Sequence, residues 1–235
     1  MVSSLDLLTL EDLVECEIIK RINRFVVEVE MGSARIFASI NNTGRLEDFL
    51  VKGRTGYCVG KEGGKTRYKL VAVRDKEGGA ILDTNLQMKG FERALKNEYI
   101  PWLSGYRISK RNPRVGGSTL DYLLDNEDKL YVEVKSAVLR VGNEASYPDC
   151  PTERGRRHIM ELIDLTRKEE RAMIIFIAGL PGVRSFIPAR WIDARIAELL
   201  KEAREAGVEI KALSMHLDTD RKVIVLENPD LPVRI

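Results

Sequence analysis

The sequence predicts a mixed α/β protein with a β-rich N-terminal domain followed by a domain of alternating strands and helices. In the first third of the chain, short strand-like runs are separated by turns that contain glycine. Beyond residue 84, strand-like and helical patterns alternate, which is typical of a mixed sheet covered by helices. We therefore expect two domains, residues 1–84 and residues 85–235.

The composition limits the kinds of site the chain can carry. Its 235 residues include 38 Lys and Arg against 36 Asp and Glu, a formal charge of +2, so nucleic-acid binding would require a local basic surface. Three cysteines and two histidines are scattered, which does not favour a structural zinc site. Sparse cysteines, and apolar runs that fall short of roughly 20 residues, favour a cytoplasmic protein that does not cross a membrane.

Period-two alternation identifies the first strands. Residues 25–31 place Phe25, Val27 and Val29 on one face, Gly32 begins a turn, and residues 34–40 continue as a second strand, so a hairpin is expected. Residues 68–73 and 80–82 are also strand-like. Short strands of this kind predict a small barrel or sandwich.

The second domain begins with a helix in which Phe91, Leu95 and Tyr99 share one face and which ends before Pro101. The expected elements are a helix at residues 86–100, strands at 120–124 and 130–139, a helix at 152–171, a strand at 172–178, a helix at 189–206 and a strand at 208–213. This order predicts a mixed sheet with helices packed on it.

Three charged residues on the first two of these strands form the candidate catalytic site. Glu133 and Lys135, at positions i and i+2, project from one face of an otherwise apolar strand. A short connection through residues 126–128 would make the preceding strand an antiparallel neighbour, so that Asp121 can approach Glu133. The alternative is an ion-pair ladder on the surface of the sheet, worth about 0–1 kcal/mol.

The two carboxylates of this site predict a metal ion, because carboxylates that share a small space repel each other unless a cation joins them. Asp121 and Glu133 are candidate ligands of Mg²⁺ or Mn²⁺, which prefer oxygen ligands. Such an ion could polarise a phosphoryl oxygen and help to generate hydroxide. Lys135 could orient or deprotonate the attacking water, or neutralise charge in the transition state.

A second cluster surrounds the start of the helix that follows Pro151. Thr152 is a plausible N-cap. Arg154, Arg157 and His158 follow in the first turns, where cations oppose the helix dipole but are suited to gripping a phosphate. The alternative is a set of solvated arginines paired with acidic neighbours, and His158 could equally be a packed helix residue.

Two further segments could extend a nucleic-acid surface. Residues 110–114 are expected to form a basic loop that carries Arg111 and Arg114. Asn42 and Arg45 lie in a sequence typical of a tight turn, with contact to nucleic acid as the alternative.

Four segments together resemble the sugar fermentation stimulation protein A (SfsA) family. They are Asn42-Thr43-Gly44-Arg45; Leu103-Ser104-Gly105-Tyr106; Leu120-Asp121-Tyr122-Leu123-Leu124 with Tyr131-Val132-Glu133-Val134-Lys135-Ser136; and Tyr147-Pro148-Asp149 with Thr152-Glu153-Arg154-Gly155 and His158. The resemblance implies an N-terminal OB-fold and a C-terminal domain like the restriction-endonuclease-like PD-(D/E)XK nucleases. In that fold Asp121, Glu133 and Lys135 match the catalytic positions, and the resemblance adds Asp149 and Thr152 as supporting residues.

The resemblance also implies DNA as a partner, since the family is associated with DNA binding and, by its name, with regulation of sugar metabolism. The leading expectation is a Mg²⁺-dependent nuclease, and the alternative is a non-catalytic DNA-binding regulator that keeps the nuclease fold. Single-stranded, branched and duplex DNA remain open as partners, as does a homodimer. Arg93 stands where the family has an acidic residue, which leaves the third metal ligand open.

Aromatic residues bear on whether the OB-fold could bind single-stranded nucleic acid. OB-folds that bind single strands usually stack bases on aromatic side chains. Phe25, Phe37 and Tyr57 are the candidates here, although such residues more often belong to the core. A carbohydrate-binding role lacks support, because Trp102 and Trp191 are isolated in the sequence.

Overall fold

The computed structural model describes residues 5–235 of the chain. These residues divide into two compact units, each assembled from separate stretches of sequence. Unit 1 comprises the residues up to Arg93 with Gly179–Gly182 and Ser214–Asn228, and unit 2 comprises Ala94–Ala178, Val183–Leu213 and Pro229–Ile235. The expected boundary between residues 84 and 85 stays a prediction.

Residues 5–96 contribute seven strands and the first helix. In chain order they are β1 (Leu5–Thr9), β2 (Val14–Asn23), β3 (Val26–Met31), β4 (Ala34–Ser39), β5 (Thr55–Gly60), β6 (Tyr68–Asp75), β7 (Gly78–Ile81) and α1 (Thr84–Lys96).

Strands β2 to β6 close into a five-stranded barrel in unit 1. The strands follow the order β4-β3-β2-β5-β6, and a parallel pairing of β4 with β6 closes the ring. Alternation places Val27 and Val29 inside, where both are fully buried, and Gly32 adopts a positive φ in the turn of the expected β3–β4 hairpin. The barrel is an OB domain, as the sequence resemblance implies.

Two aromatic residues of this barrel lie on its surface. Phe25 is 57% exposed and Phe37 55% exposed, so the interpretation of these two as core residues is wrong. Tyr57 is buried and does belong to the core. Because more than half of each residue stays exposed to water, both rings are accessible to a ligand.

The remainder of the chain contributes eleven strands, a short 3₁₀ helix and two α-helices. In chain order they are the 3₁₀ helix (Pro101–Leu103), β8 (Arg107–Arg111), β9 (Arg114–Val115), β10 (Ser118–Thr119), β11 (Tyr122–Asp125), β12 (Lys129–Ser136), β13 (Leu139–Val141), β14 (Glu144–Tyr147), α2 (Glu153–Thr166), β15 (Arg171–Ala178), β16 (Ser185–Pro188), α3 (Ala194–Glu205), β17 (Glu209–Asp218) and β18 (Val223–Asn228).

The core of unit 2 lies between its mixed sheet and the two helices. Strand β15 lies between β17 and β12, β12 is parallel to β15, and β11 is antiparallel to both β12 and β8. Ile174 and Ile175 of β15 are fully buried, as are Ile159 and Leu162 of α2. The sheet with α2 and α3 confirms the predicted mixed α/β class.

Several expected ends of elements are wrong, each for a local reason. The helix expected at 152–171 stops at Thr166, because the chain turns there and Glu169 takes a positive φ. The helix expected at 189–206 begins only at Ala194, since the Asp193 carboxylate caps it. The helix expected at 86–100 begins at Thr84 and ends at Lys96, and the Asp83 carboxylate accepts from the Leu86 N–H.

The basic segment at residues 110–114 is not the simple loop that the sequence predicts. Lys110 and Arg111 end strand β8, which pairs with β11, and Arg114 begins the short strand β9. Arg111 therefore lies on the edge strand of the large sheet, and Arg114 lies on a separate two-stranded hairpin.

Within residues 5–235, none of the helices combines the length and apolar character that crossing a lipid bilayer requires.

Candidate active site

Strand β12 presents the two charged residues of the candidate site on one side. Lys135 Nζ lies 2.6 Å from Glu133 Oε1, and the side chains are 11% and 3% exposed. An ion pair so withdrawn from water is not the surface ladder that the spacing allowed as an alternative. Burying two charges costs several kcal/mol unless their attraction and hydrogen bonds offset it, so this pair calls for a further role.

Asp121 joins Glu133 and Lys135 from the segment that precedes β11. It lies just before β11 and not within a strand at 120–124 as expected, although β11 and β12 are antiparallel neighbours as expected. Its Oδ2 accepts a hydrogen bond of 2.7 Å from the Val134 N–H. This bond to the backbone of β12 thus holds the Asp121 carboxylate next to Glu133.

His158 completes the site from the first turns of α2. Its ring is 2% exposed, and Nδ1 is hydrogen-bonded to Glu133 Oε1. Arg154 Nε donates to His158 Nε2 at 3.4 Å, and Lys135 Nζ lies 3.4 Å from His158 Nδ1. The sequence assigned His158 to nucleic acid, and that role remains untested, but the structure places the ring against a candidate metal ligand.

The two carboxylates have opposite electrostatic settings. Burial, together with the negative charge of Glu133, raises the pKa of Asp121 from 3.8 to about 7. Burial also opposes ionisation of Glu133, but the charge of Lys135 and the hydrogen bond from His158 outweigh it and lower the pKa of Glu133. At pH 7 and without a metal ion, Glu133 is therefore ionised and Asp121 is partly protonated.

Lys135 is a cation in this setting. Burial alone would lower its pKa, but the negative charge of Glu133 at 2.6 Å more than compensates, and the net pKa of Lys135 is raised. A protonated amine cannot accept a proton from water. Of the three roles that the sequence left open, orienting a water and neutralising charge in the transition state are the two that a cation can fill directly.

The donor set fits a divalent cation. Glu133 Oε2 is buried and has no hydrogen-bond partner among residues 5–235, although Oε1 has two. Burial and the negative charge of Glu133 raise the pKa of Asp121, and a cation bound beside the two carboxylates would lower it. In the described part of the chain no group of three or more His, Cys, Asp or Glu side chains has an arrangement that could hold a metal ion by itself. Mg²⁺ is compatible with this, since it commonly takes one or two carboxylates and keeps several waters.

The start of α2 carries two exposed arginines, of which Arg154 is close enough to lower the pKa of Asp121. Thr152 caps the helix, since its side chain accepts from the Gly155 N–H at 3.0 Å, as the sequence predicts. Arg154 and Arg157 are exposed, whereas Arg156 pairs with the buried Asp193 at 3.0 Å. The exposed guanidinium groups of Arg154 and Arg157 are accessible to phosphate.

Strands β9 and β10 form a hairpin that α2 holds in place. The Gly117 N–H in its turn donates to Glu161 Oε1 at 3.1 Å. Arg111 and Arg114, in β8 and β9, are exposed. Nothing in the spacing of the sequence marks Glu161 as an anchor, because the contact joins residues on two separate elements.

Asn42 and Arg45 lie in unit 1, apart in sequence from the candidate catalytic residues. Asn42 is 8% exposed; its Nδ2 donates to Leu82 O and its Oδ1 accepts from the Gly44 N–H. These bonds support the tight-turn interpretation. Arg45 is exposed and lies 3.8 Å from Glu47.

Tyr147 and Gly155 are residues that the sequence did not single out for the site. The Tyr147 hydroxyl bonds to the Thr152 side chain, and its pKa is raised by burial while the charge of Lys135 opposes that rise. A Cβ at Gly155 would lie 2.5 Å from this hydroxyl. Asp149, a supporting residue by resemblance, is close enough to act on the Tyr147 hydroxyl electrostatically.

The chain is similar to known proteins over nearly its whole length. The model of the SfsA N-terminal OB domain matches residues 19–82, and that of the sugar fermentation stimulation protein RE domain matches residues 85–221. The homolog from Pyrococcus furiosus is 52% identical over 219 residues, 93% of this chain and 95% of the relative. The homolog from Archaeoglobus fulgidus is 44% identical over 229 residues, 97% of this chain and 99% of the relative.

A solved structure agrees with these matches. It is described as the structure of Pyrococcus furiosus SfsA in complex with Ca²⁺, and it is 50% identical to this chain with a TM-score of 0.95. The match covers 98% of this chain and 100% of the solved one. The chain therefore belongs to the sugar fermentation stimulation protein (SfsA) family.

Proposed function

We propose that this protein is a divalent-metal-dependent nuclease that acts on DNA. The observation that carries the proposal is the unpaired, buried Oε2 of Glu133 beside the proton-binding carboxyl group of Asp121. A polar atom buried without a partner costs free energy that a ligand can recover. The Ca²⁺ complex of the related Pyrococcus furiosus protein supports a cation as that ligand.

Each residue of the site has a part in this proposal. Asp121 and Glu133 hold Mg²⁺ or Mn²⁺, which when bound supplies positive charge to a phosphoryl oxygen and makes water a better nucleophile. The Lys135 ammonium orients the water and stabilises the charge that develops on the phosphate. Arg154 and Arg157, exposed on the first turns of α2, hold the phosphate backbone.

The OB barrel supplies a second contact in this proposal. Phe25 and Phe37 expose more than half of their surfaces, and base stacking on such a ring is worth about 1–3 kcal/mol per base. A single-stranded segment of DNA suits these rings, since its bases are unpaired and their faces are free. Arg45, exposed in the same unit, can contact its backbone.

A panel of substrates tests the proposal. Wild-type protein is expected to cleave at least one DNA among single-stranded, branched and duplex forms in Mg²⁺ or Mn²⁺, and none in EDTA. Gel analysis of end-labelled DNA measures the cleavage. Metal binding and DNA binding without cleavage of any form would favour the alternative, a DNA-binding regulator that retains the nuclease fold.

Metal binding is expected to depend on pH through Asp121. With a pKa of about 7 in the folded protein, this carboxyl group must release its proton before it can bind a cation. The apparent Mn²⁺ affinity should therefore fall about tenfold per unit below pH 7 and level off above it. Calorimetric titrations at pH 6.0, 7.0 and 8.0 measure this, and an affinity independent of pH would contradict it.

The same shift has a defined effect on stability without metal. The unfolded chain releases this proton near pH 4, whereas the folded protein keeps it until about pH 7. Between these values the folded state binds more protons, so the contribution of Asp121 to stability falls as the pH rises. Adding metal should remove this loss.

A further inference from the structure

His158 lies between a candidate metal ligand and a candidate phosphate ligand. Its Nδ1 is bonded to Glu133 Oε1, and its Nε2 receives the Arg154 Nε–H at 3.4 Å. A guanidinium group has no acceptor, so Nε2 must be the acceptor in this contact. The proton of a neutral ring is then on Nδ1, and the ring donates it to Glu133.

This donation determines how the Glu133 carboxylate is turned. The torsion that rotates a carboxylate is broad, so an unbound group would sample many orientations. Here Oε1 is bonded both to His158 Nδ1 and, at 2.6 Å, to Lys135 Nζ. With Oε1 held twice, Oε2 is the oxygen left without a partner.

The opposite side of the ring acts on Arg154. This side chain is exposed, and a free arginine loses rotamer entropy when it is fixed. The contact of Nε with His158 uses one of its five N–H groups and leaves the other four for a phosphate. Arg157 follows Arg154 by about one helical turn and is also exposed. Among the described residues it has no such contact with His158.

We propose that His158 is a positioning residue that fixes Glu133 for the cation and Arg154 for the phosphate with the two nitrogens of one ring. This rests on the proposed metal site, and it replaces direct contact of His158 with nucleic acid. Partners that orient a metal ligand typically contribute 10- to 100-fold to metal affinity. The burial of the ring serves this role, since water at either nitrogen would compete with Glu133 and Arg154.

Two variants separate the functions of the two nitrogens. His158→Ala should weaken Mn²⁺ binding about 10-fold or more in protein without DNA, and should weaken binding of a phosphorothioate oligonucleotide without metal about three- to tenfold. In His158→Asn the side-chain amide can take the place of Nδ1 but not of Nε2. It should restore Mn²⁺ affinity to within about threefold of wild type while oligonucleotide binding stays weak.

Arg157→Gln is the matched control. It removes an exposed arginine from the same helix turns without touching the ring, so it should weaken oligonucleotide binding and leave Mn²⁺ affinity unchanged. Mn²⁺ binding is measured by electron paramagnetic resonance of the free ion, oligonucleotide binding by fluorescence anisotropy, and folding by thermal unfolding.

The outcomes distinguish this role from the proposed function. Wild-type protein that binds no Mn²⁺ would overturn the metal site, and the role of His158 with it. Wild-type protein that binds Mn²⁺, with equal affinity in a folded His158→Ala variant, would overturn the role of His158 alone. If His158→Ala does not fold, His158→Asn decides: oligonucleotide affinity equal to that of wild type would overturn the link to Arg154.

Discussion

Replacing Glu133 with glutamine is expected to lower DNA cleavage about 1,000-fold or more and to abolish measurable Mn²⁺ binding. The glutamine oxygen can still accept from Lys135 and His158, as Oε1 does, which turns the NH₂ group to the position of the unpaired Oε2. An NH₂ group has no lone pair for a cation. Losing several kcal/mol of charge stabilisation, at 1.36 kcal/mol for each factor of ten, gives the expected loss of rate.

Stability should change less than cleavage in this variant. Removing one partner of a buried ion pair can cost 3–5 kcal/mol when the other charge is left alone. Here Lys135 keeps a second carboxylate nearby, because the pKa of Asp121 falls once the negative charge of Glu133 is gone. We therefore expect a folded variant that is destabilised by about 1–3 kcal/mol.

The measurement needs a carboxylate outside the site as its control. Asp125 is exposed at the other end of β11, and Asp125→Asn should leave cleavage and Mn²⁺ binding within about twofold of wild type. DNA binding without metal should survive in both variants, because the exposed arginines of α2 are untouched. Cleavage by Glu133→Gln at the wild-type rate would show that the active site lies elsewhere.

Local sequence could predict the parts of the site that one strand provides. Alternation along β12 places Glu133 and Lys135 together, and the short connection to β11 makes the two strands antiparallel. The contact of His158 with Glu133 joins residues 25 positions apart and depends on how α2 packs against the sheet. No periodicity carries that information, so the sequence could place His158 only near the arginines.

The fold shows the same division between local and distant information. The β3–β4 hairpin and the buried strand β15 were predicted, because alternation and apolar runs are strong local signals. Strand β8 was missed, since four of its five residues are polar or charged and only its pairing with β11 makes it a strand. Barrel closure through β4 and β6 followed from family resemblance and not from alternation.

Gly155→Ala should destabilise the protein by about 1–3 kcal/mol even though alanine favours a helix over glycine by about 1 kcal/mol. The new Cβ would lie 2.5 Å from the Tyr147 hydroxyl and 2.8 Å from Thr152 Cγ2, closer than such atoms can approach. Displacing Thr152 also breaks the helix cap, which is worth about 1 kcal/mol. The clash and the lost cap therefore outweigh the gain in helix propensity.

A second substitution shows which contact causes this loss. Tyr147→Phe removes the hydroxyl that the new Cβ would meet, so the double variant Tyr147→Phe/Gly155→Ala should be more stable than the sum of the single effects predicts, by at least about 0.5 kcal/mol. Denaturant unfolding measures all four proteins of this cycle. Gly60→Ala is the control, because a Cβ there has no neighbour within 4 Å. Strictly additive effects on stability would show that the Tyr147 hydroxyl does not limit the start of the helix. Arg154 and His158 lie on the same turns as Gly155. Oligonucleotide affinity and Mn²⁺ affinity should therefore fall in Gly155→Ala and recover in part in the double variant.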